Sequence, residues 1–234
     1  MKTAIQLVLI YFGFLQILAP MLMVVPCIIY LLATTGAVDK DSLMQMIIIP
    51  AQMTGILLMV IYLWKAGYIS KEKTTWSAVS PSYLGLSVVS LLSCSWLVST
   101  LISHMEWLPN IMEQTFDILQ SGWGGILAIA VAGPVLEELL FRGAITKALL
   151  KQYDPAKAIL ISAFIFGIFH INPIQVVAAF LIGLLLAWVY YKTASLLPCI
   201  LMHIFNNSIS VYLNIKYPGM DDMDALVGGT ASLI

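Results

Sequence analysis

Two adjacent carboxylates and the single arginine of the chain lie together inside a long apolar stretch. They are Glu137, Glu138 and Arg142. Placing a charged side chain at the centre of a membrane helix costs at least about 2.5–3.5 kcal/mol per group. Ionisable groups that are kept at such a cost generally serve a function, so this cluster predicts a functional site.

Two further polar clusters in apolar stretches contain two of the three histidines. His170 ends the sequence Phe-Gly-Ile-Phe-His, and His203 precedes Asn207 by four residues. At 1.5 Å of rise per residue, Glu137, His170 and His203 lie about 15, 20 and 16 Å from the lysines that mark one margin of their helices. In a hydrocarbon core about 30 Å thick, we expect these three side chains at one depth near the middle.

Helical geometry separates the two carboxylates. Glu138 and Arg142 are four residues apart on one helix face, which predicts an ion pair between them. Glu137 points about 100 degrees away from Glu138, so it is free to face a cavity. His203 and Asn207 likewise share one face of their helix.

Such a set of side chains suits hydrolysis. A glutamate in a dry cavity can act as a general base toward water, and a histidine can position that water. A histidine and an asparagine can donate to a developing oxyanion. Alternatively, Glu137, His170 and His203 would bind a divalent metal such as Zn²⁺ with an open water position, although no His-Glu-x-x-His motif is present.

The composition places the chain in a membrane. Of its 234 residues 61% are hydrophobic and 10% are charged, and the mean hydropathy is +0.96. A soluble domain carries about 25% charged residues, so this chain cannot cover itself with polar surface. The net charge of −1 provides no basic surface for nucleic acid, and we expect no nucleic-acid partner.

The apolar stretches predict an all-α, polytopic transmembrane bundle of about seven spans, between six and eight, with a catalytic cavity inside the membrane. The predicted spans cover residues 4–33, 43–64, 82–103, 123–150, 155–170, 173–191 and 195–214. Residues 104–122 include a possible amphipathic helix at the membrane interface. We divide the chain into N-terminal helices (1–122), catalytic helices (123–215) and a polar tail (216–234).

The lysines predict the orientation of the bundle. With seven spans, one set of connecting segments carries most of them: Lys2, Lys65, Lys71, Lys73, Lys147, Lys151, Lys157 and Lys192. The other set carries only Lys40 and Lys216. Because cytoplasmic loops are enriched in lysine, we expect an N-terminus in the cytoplasm of a bacterial cell, unless the first apolar stretch forms two spans.

The three clusters together resemble the CPBP family of intramembrane proteases, which includes type II CAAX prenyl endopeptidases and bacteriocin-processing and self-immunity proteins. Glu137, Glu138 and Arg142 match the family motif Glu-Glu-x-x-x-Arg. Phe166 and His170 match Phe-x-x-x-His, and His203 and Asn207 match His-x-x-x-Asn. The resemblance covers residues 123–214, and the earlier part of the chain has no such motif.

The resemblance implies a role for each matched residue. Glu137 would be the general base, and His170 would help to hold the water. His203 and Asn207 would form the oxyanion site. Glu138 and Arg142 would support the site and orient His170.

It also implies an endopeptidase that cuts a membrane-associated, in some members lipidated, protein or peptide, by a metal-dependent or a metal-free glutamate mechanism. Two other classes of protein fit the same residues. A proton-coupled transporter also uses Glu and His relays, and a non-catalytic scaffold or immunity factor would retain only the fold. The substrate and the oligomeric state are not encoded in any of these patterns.

Overall fold

The computed structural model describes residues 1–105 and 107–217, and within them the regular structure is helical without any strand. The helices are α1 (Lys2–Thr35), α2 (Lys40–Lys65), α3 (Pro81–Ser103), α4 (Glu113–Gln120), α5 (Trp123–Leu150), α6 (Pro155–Phe169), α7 (Pro173–Thr193) and α8 (Leu197–Lys216). A 3₁₀ turn, Lys73–Trp76, precedes α3. The predicted all-α bundle is confirmed, whereas the predicted polar tail lies, from residue 218 onward, outside the described residues.

Five helices are long and apolar enough to cross a membrane: α1, α2, α3, α5 and α7. α6 is apolar but has only 15 residues, and α8 is long enough but is less apolar because it carries His203, Asn206 and Asn207. Counting these two, the predicted number of about seven spans is confirmed. α1 is continuous, so the first apolar stretch forms one helix, and α4 lies within the predicted interfacial segment.

Side-chain caps and prolines set the starts of several helices. The side chains of Asp39, Ser80 and Asp154 accept hydrogen bonds from backbone amides of the first turns of α2, α3 and α6. Pro81 and Pro155 begin their helices at positions where a missing N–H leaves no broken hydrogen bond. α8 begins two residues later than predicted because Ser195 instead accepts from the amide of Leu197.

Two of the long helices widen to π-helical geometry just before an internal proline. In α1 the segment Gly13–Leu18 precedes Pro20, and in α5 the segment Ala128–Ala132 precedes Pro134. A local π-helical turn is one way in which a membrane helix tolerates the N–H that proline lacks. α1 therefore remains one continuous helix across Pro20 with a π-helical turn before it.

Contacts between connecting segments divide them into two groups. On one side the N-terminus donates to the Gln152 side chain, Lys147 pairs with Glu72, and the amide of Leu196 donates to the Thr75 carbonyl. On the other side the loop before α4 is hydrogen-bonded to the turn between α6 and α7. Successive connecting segments therefore alternate between the two sides of the bundle, as the lysines predict.

The centre of the bundle is α5. Half of the residues in its central apolar stretch are buried inside the protein, compared with 17% in the apolar stretches of α1 and α3. Behind it, α6 and α7 pack closely at two glycines. A Cβ on Gly167 would meet the Val176 carbonyl oxygen at 2.8 Å, and one on Gly183 would meet Cδ1 of Phe166 at 2.9 Å. The glycines thus bring the end of α6, with Phe166 and His170, against α7.

Candidate active site

Glu137 of α5, His170 at the end of α6 and His203 of α8 converge inside the bundle. Oε2 of Glu137 lies 3.9 Å from Nε2 of His170 and 3.7 Å from Nε2 of His203. The Glu137 side chain is 16% exposed, and its Oε2 atom is buried without a hydrogen-bond partner within the described residues. The structure therefore brings together the three side chains that the sequence places at one depth.

Glu138 is fully buried and contacts the ring nitrogen of His203 opposite to the one that faces Glu137. Its Oε1 atom accepts a 2.9 Å hydrogen bond from Arg142 and lies 2.8 Å from Nδ1 of His203. The ion pair expected from the four-residue spacing is present. Since an ionised carboxylate can only accept, Nδ1 of His203 donates to Glu138.

The partner of Glu138 differs from the one that the family resemblance implies. Glu138 holds His203, while His170 is held within its own helix, where Nδ1 lies 2.8 Å from the Phe166 carbonyl oxygen. Glu138 contacts His203 because its side chain points toward α8. His170 bonds within α6 because the carbonyl of Phe166 lies one turn before it. Since a carbonyl only accepts, Nδ1 of His170 is also a donor.

Arg142 is held by three different groups. Besides Glu138, its guanidinium donates to the carbonyl of Gly183 at 3.1 Å and lies 4.6 Å from the ring centre of Phe166. It is fully buried, in the π-helical segment Leu139–Thr146. Arg142 thus joins α5 to α7 and to the residue that orients His170.

Asn207 is anchored at an irregularity in α5. In the π-helical turn the amide of Gly133 bonds to the carbonyl of Ala128, five residues earlier. The next amide in this register would bond to Ile129, but residue 134 is a proline and has no N–H. The free Ile129 carbonyl instead accepts a 3.0 Å hydrogen bond from Nδ2 of Asn207.

Several residues beside the site carry no signal in the motifs. Ser95 of α3 donates to Asn206 at 2.7 Å, and Asn206 donates in turn to Asn207 at 3.4 Å, so Asn206 takes part in orienting the neighbouring residue. Tyr11 of α1 packs its ring 4.2 Å from that of Phe169, the residue before His170. In the sequence, Ser95, Asn206 and Tyr11 stand out only as polar residues within apolar helices.

Glu137, His170 and His203 are the side-chain types of a catalytic zinc site. Within residues 1–105 and 107–217, however, no group of three His, Cys, Asp or Glu side chains is arranged to hold a metal ion. No step below therefore passes through a metal.

Comparisons with known proteins concern the part of the chain that holds these residues. Residues 119–209 match the family model described as "Type II CAAX prenyl endopeptidase Rce1-like". A Bacillus subtilis (strain 168) protein named "Putative membrane peptidase YdiL" is 30% identical over 104 residues, which are 44% of this chain and 43% of that protein. The chain thus matches less than half of the length of this curated relative. No solved structure matches the chain.

The matched segment includes every residue to which the sequence assigned a place in the site. The family description and the name of the relative both concern membrane peptidases of the class that the three motifs indicate. The resemblance to the CPBP family of intramembrane proteases is therefore confirmed for residues 119–209.

Proposed function

We propose that this chain is an intramembrane endopeptidase that hydrolyses a peptide bond of a membrane-associated substrate. The observation that carries the proposal is the convergence of Glu137 Oε2 with the Nε2 atoms of His170 and His203, at 3.9 and 3.7 Å. Separations slightly beyond hydrogen-bond length suit one water bridging the groups. The match to a prenyl endopeptidase family supports the same chemistry.

Glu137 and His170 are suited to activating that water. Nδ1 of His170 donates to a carbonyl, so in the neutral ring Nε2 has a lone pair that accepts from water. Oε2 of Glu137 has no other partner within the described residues and accepts the second water proton. Glu137 takes this proton as the water oxygen attacks the peptide carbonyl carbon, and it then passes the proton to the leaving amine when the C–N bond breaks.

His203 and Asn207 are suited to stabilising the oxyanion formed by that attack. Because Nδ1 of His203 donates to Glu138, Nε2 donates to the oxyanion when the ring is an imidazolium. Asn207 uses one N–H on Ile129, and its second N–H is free for the oxyanion. Glu138 and Arg142 hold His203 and the surrounding helices without contacting substrate.

The proposed substrate class is supported by the family description alone. A CAAX motif is a C-terminal cysteine box that carries a prenyl group, and we propose such a lipidated peptide as the first substrate to test. The lysine distribution supports a multi-pass protein of the bacterial cytoplasmic membrane with the N-terminus in the cytoplasm. A role in bacteriocin self-immunity is a second proposal, which also rests only on the family resemblance.

The test uses purified chain in liposomes with a fluorescence-quenched CAAX peptide, farnesylated or not. We expect cleavage of the farnesylated peptide, and no cleavage by Glu137→Gln, His170→Gln or His203→Gln. Glu113→Gln removes an exposed carboxylate of α4 and serves as the matched control, with the rate of the unmodified chain. Full activity of all three site variants, in folded protein, would overturn the proposal.

Two other outcomes would point to the other functions. Substrate-dependent proton uptake into the liposomes, without cleavage, indicates a transporter. If the Glu137→Gln variant preserves the cellular phenotype of the unmodified gene, the protein acts there as a scaffold or immunity factor rather than as an enzyme.

A further inference from the structure

The turn between α6 and α7 is fastened to a distant loop by one buried asparagine. Asn172 is 1% exposed and comes directly before Pro173, where an asparagine commonly caps its own helix. Its side chain makes no such cap. Instead Oδ1 accepts from the amide of Ile111 at 3.1 Å, and Nδ2 donates to the Asn110 side chain at 2.8 Å.

The residue between this asparagine and His170 has an unusual backbone. Ile171 has a φ of 61°, in the left-handed region that a β-branched residue rarely adopts. Its side chain is 53% exposed, so burial of the side chain does not explain the conformation. Such a backbone persists only where the surrounding structure fixes it.

Hydrogen bonds fix both ends of this turn. The His170 amide bonds to the Gly167 carbonyl on the α6 side, and the Asn172 amide bonds to the His170 carbonyl at 2.6 Å. The Asn172 carbonyl accepts from the first amides of α7. The backbone of His170 is thus held from its own helix on one side and by Asn172 on the other.

We propose that Asn172 is a positioning residue for His170, which it fixes through Ile171 by fastening this turn to the loop before α4. The proposal rests on the proposed function only for the role of His170 in hydrolysis. Without the contacts to Asn110 and Ile111, Ile171 relaxes toward an ordinary backbone conformation. The His170 ring then leaves its place beside Glu137.

The first measurement is kinetic. Asn172→Leu, similar in size but apolar, should lower kcat on the farnesylated peptide on the order of 10²-fold while KM changes little, because the substrate surface is untouched. Asn172→Asp keeps an acceptor for the Ile111 amide and can accept from Asn110 once that amide rotates, so it should restore most of the rate. An unchanged kcat for folded Asn172→Leu overturns the proposal.

The matched control is Thr146→Val. It breaks a buried 2.6 Å hydrogen bond between Thr146 of α5 and Ser162 of α6, so it also weakens the packing of α6 but does so away from the turn. Thermal stability should fall in Thr146→Val and in Asn172→Leu, whereas kcat should fall only in the latter. An equal fall of kcat in both variants would mean that Asn172 acts only through general stability.

The second measurement is independent of activity. Nitrogen-15 histidine NMR, with His170 assigned from a His170→Gln variant, should show a hydrogen-bonded Nδ1–H tautomer in the unmodified chain. Asn172→Leu should shift or broaden this signal, and Asn172→Asp should restore it. A His170 signal unchanged by Asn172→Leu overturns the proposal, even if the unmodified chain cleaves no peptide and the proposed function fails.

Discussion

The side-chain amide of Asn207 donates to a carbonyl of α5 that, in the π-helical register, Pro134 leaves without a backbone donor. Nδ2 of Asn207 lies 3.0 Å from the Ile129 oxygen, which in the π-helical register would bond to residue 134. Pro134 of α5, three residues before Glu137, thus fixes the side chain of Asn207 in α8, which is proposed to face the oxyanion.

Pro134→Ala should therefore impair the site while preserving the fold. The alanine N–H competes for the Ile129 carbonyl, and Asn207 loses its anchor. We expect kcat to fall by about tenfold, the equivalent of about 1.4 kcal/mol, with thermal stability equal or higher. Peptide cleavage and thermal unfolding in detergent measure the two quantities.

Pro50→Ala is the matched control, since Pro50 is also a proline inside an apolar helix but belongs to α2, which carries none of the proposed site residues. It should leave kcat as in the unmodified chain. If Pro134→Ala also leaves kcat unchanged, the Ile129 carbonyl does not position Asn207.

Arg142→Met should strongly destabilise the protein. The change leaves the buried Glu138 carboxylate without its counter-charge, which costs about 3–5 kcal/mol for a buried pair. The midpoint of thermal unfolding should fall accordingly. Lys147→Met breaks the partly exposed pair with Glu72 and should cost less than about 1 kcal/mol. Equal losses in the two variants would contradict a structural role for the buried pair.

Gly183→Ala should affect both stability and activity. Its Cβ would lie 2.9 Å from Cδ1 of Phe166, and such overpacking costs about 1–3 kcal/mol. Because the Phe166 carbonyl orients His170, we expect the cleavage rate to fall as well. Gly85→Ala of α3, where a Cβ meets nothing within 4 Å, should instead stabilise by about 0.5–1 kcal/mol. Unchanged activity in Gly183→Ala would show that Phe166 adjusts freely.

Removal of metal ions should leave peptide cleavage unchanged, since the proposed steps use only Glu137 and its neighbours. Cleavage is measured after exhaustive chelation, with residual metal determined by mass spectrometry. Loss of activity that one divalent ion restores would instead assign Glu137, His170 and His203 as metal ligands.

Much of the fold could be predicted because the solvent is a bilayer. Long apolar stretches must form helices there, so the spans are readable from the sequence. The ion pair between Glu138 and Arg142 was predictable for a similar reason, since a four-residue spacing fixes the geometry within one helix.

Contacts between helices were less accessible. The sequence gives the depth of Glu138 but not its direction, so its partnership with His203 rather than His170 required the structure. The bond from Asn207 to Ile129 depends on a change of helical register that no spacing rule indicates. Asn172 and Asn110 are separated by 62 positions, and no spacing pattern indicates that their side chains meet.

The shortness of α6 has a consequence for the surrounding lipid. Its 15 residues rise about 22 Å, less than the hydrocarbon thickness of about 30 Å. Such a hydrophobic mismatch thins the bilayer locally and draws the headgroup layer toward the end of the helix. That end carries His170, so the aqueous phase approaches the residue proposed to hold the hydrolytic water. The acyl-chain length of the host membrane thereby becomes a determinant of how readily water is supplied to the reaction.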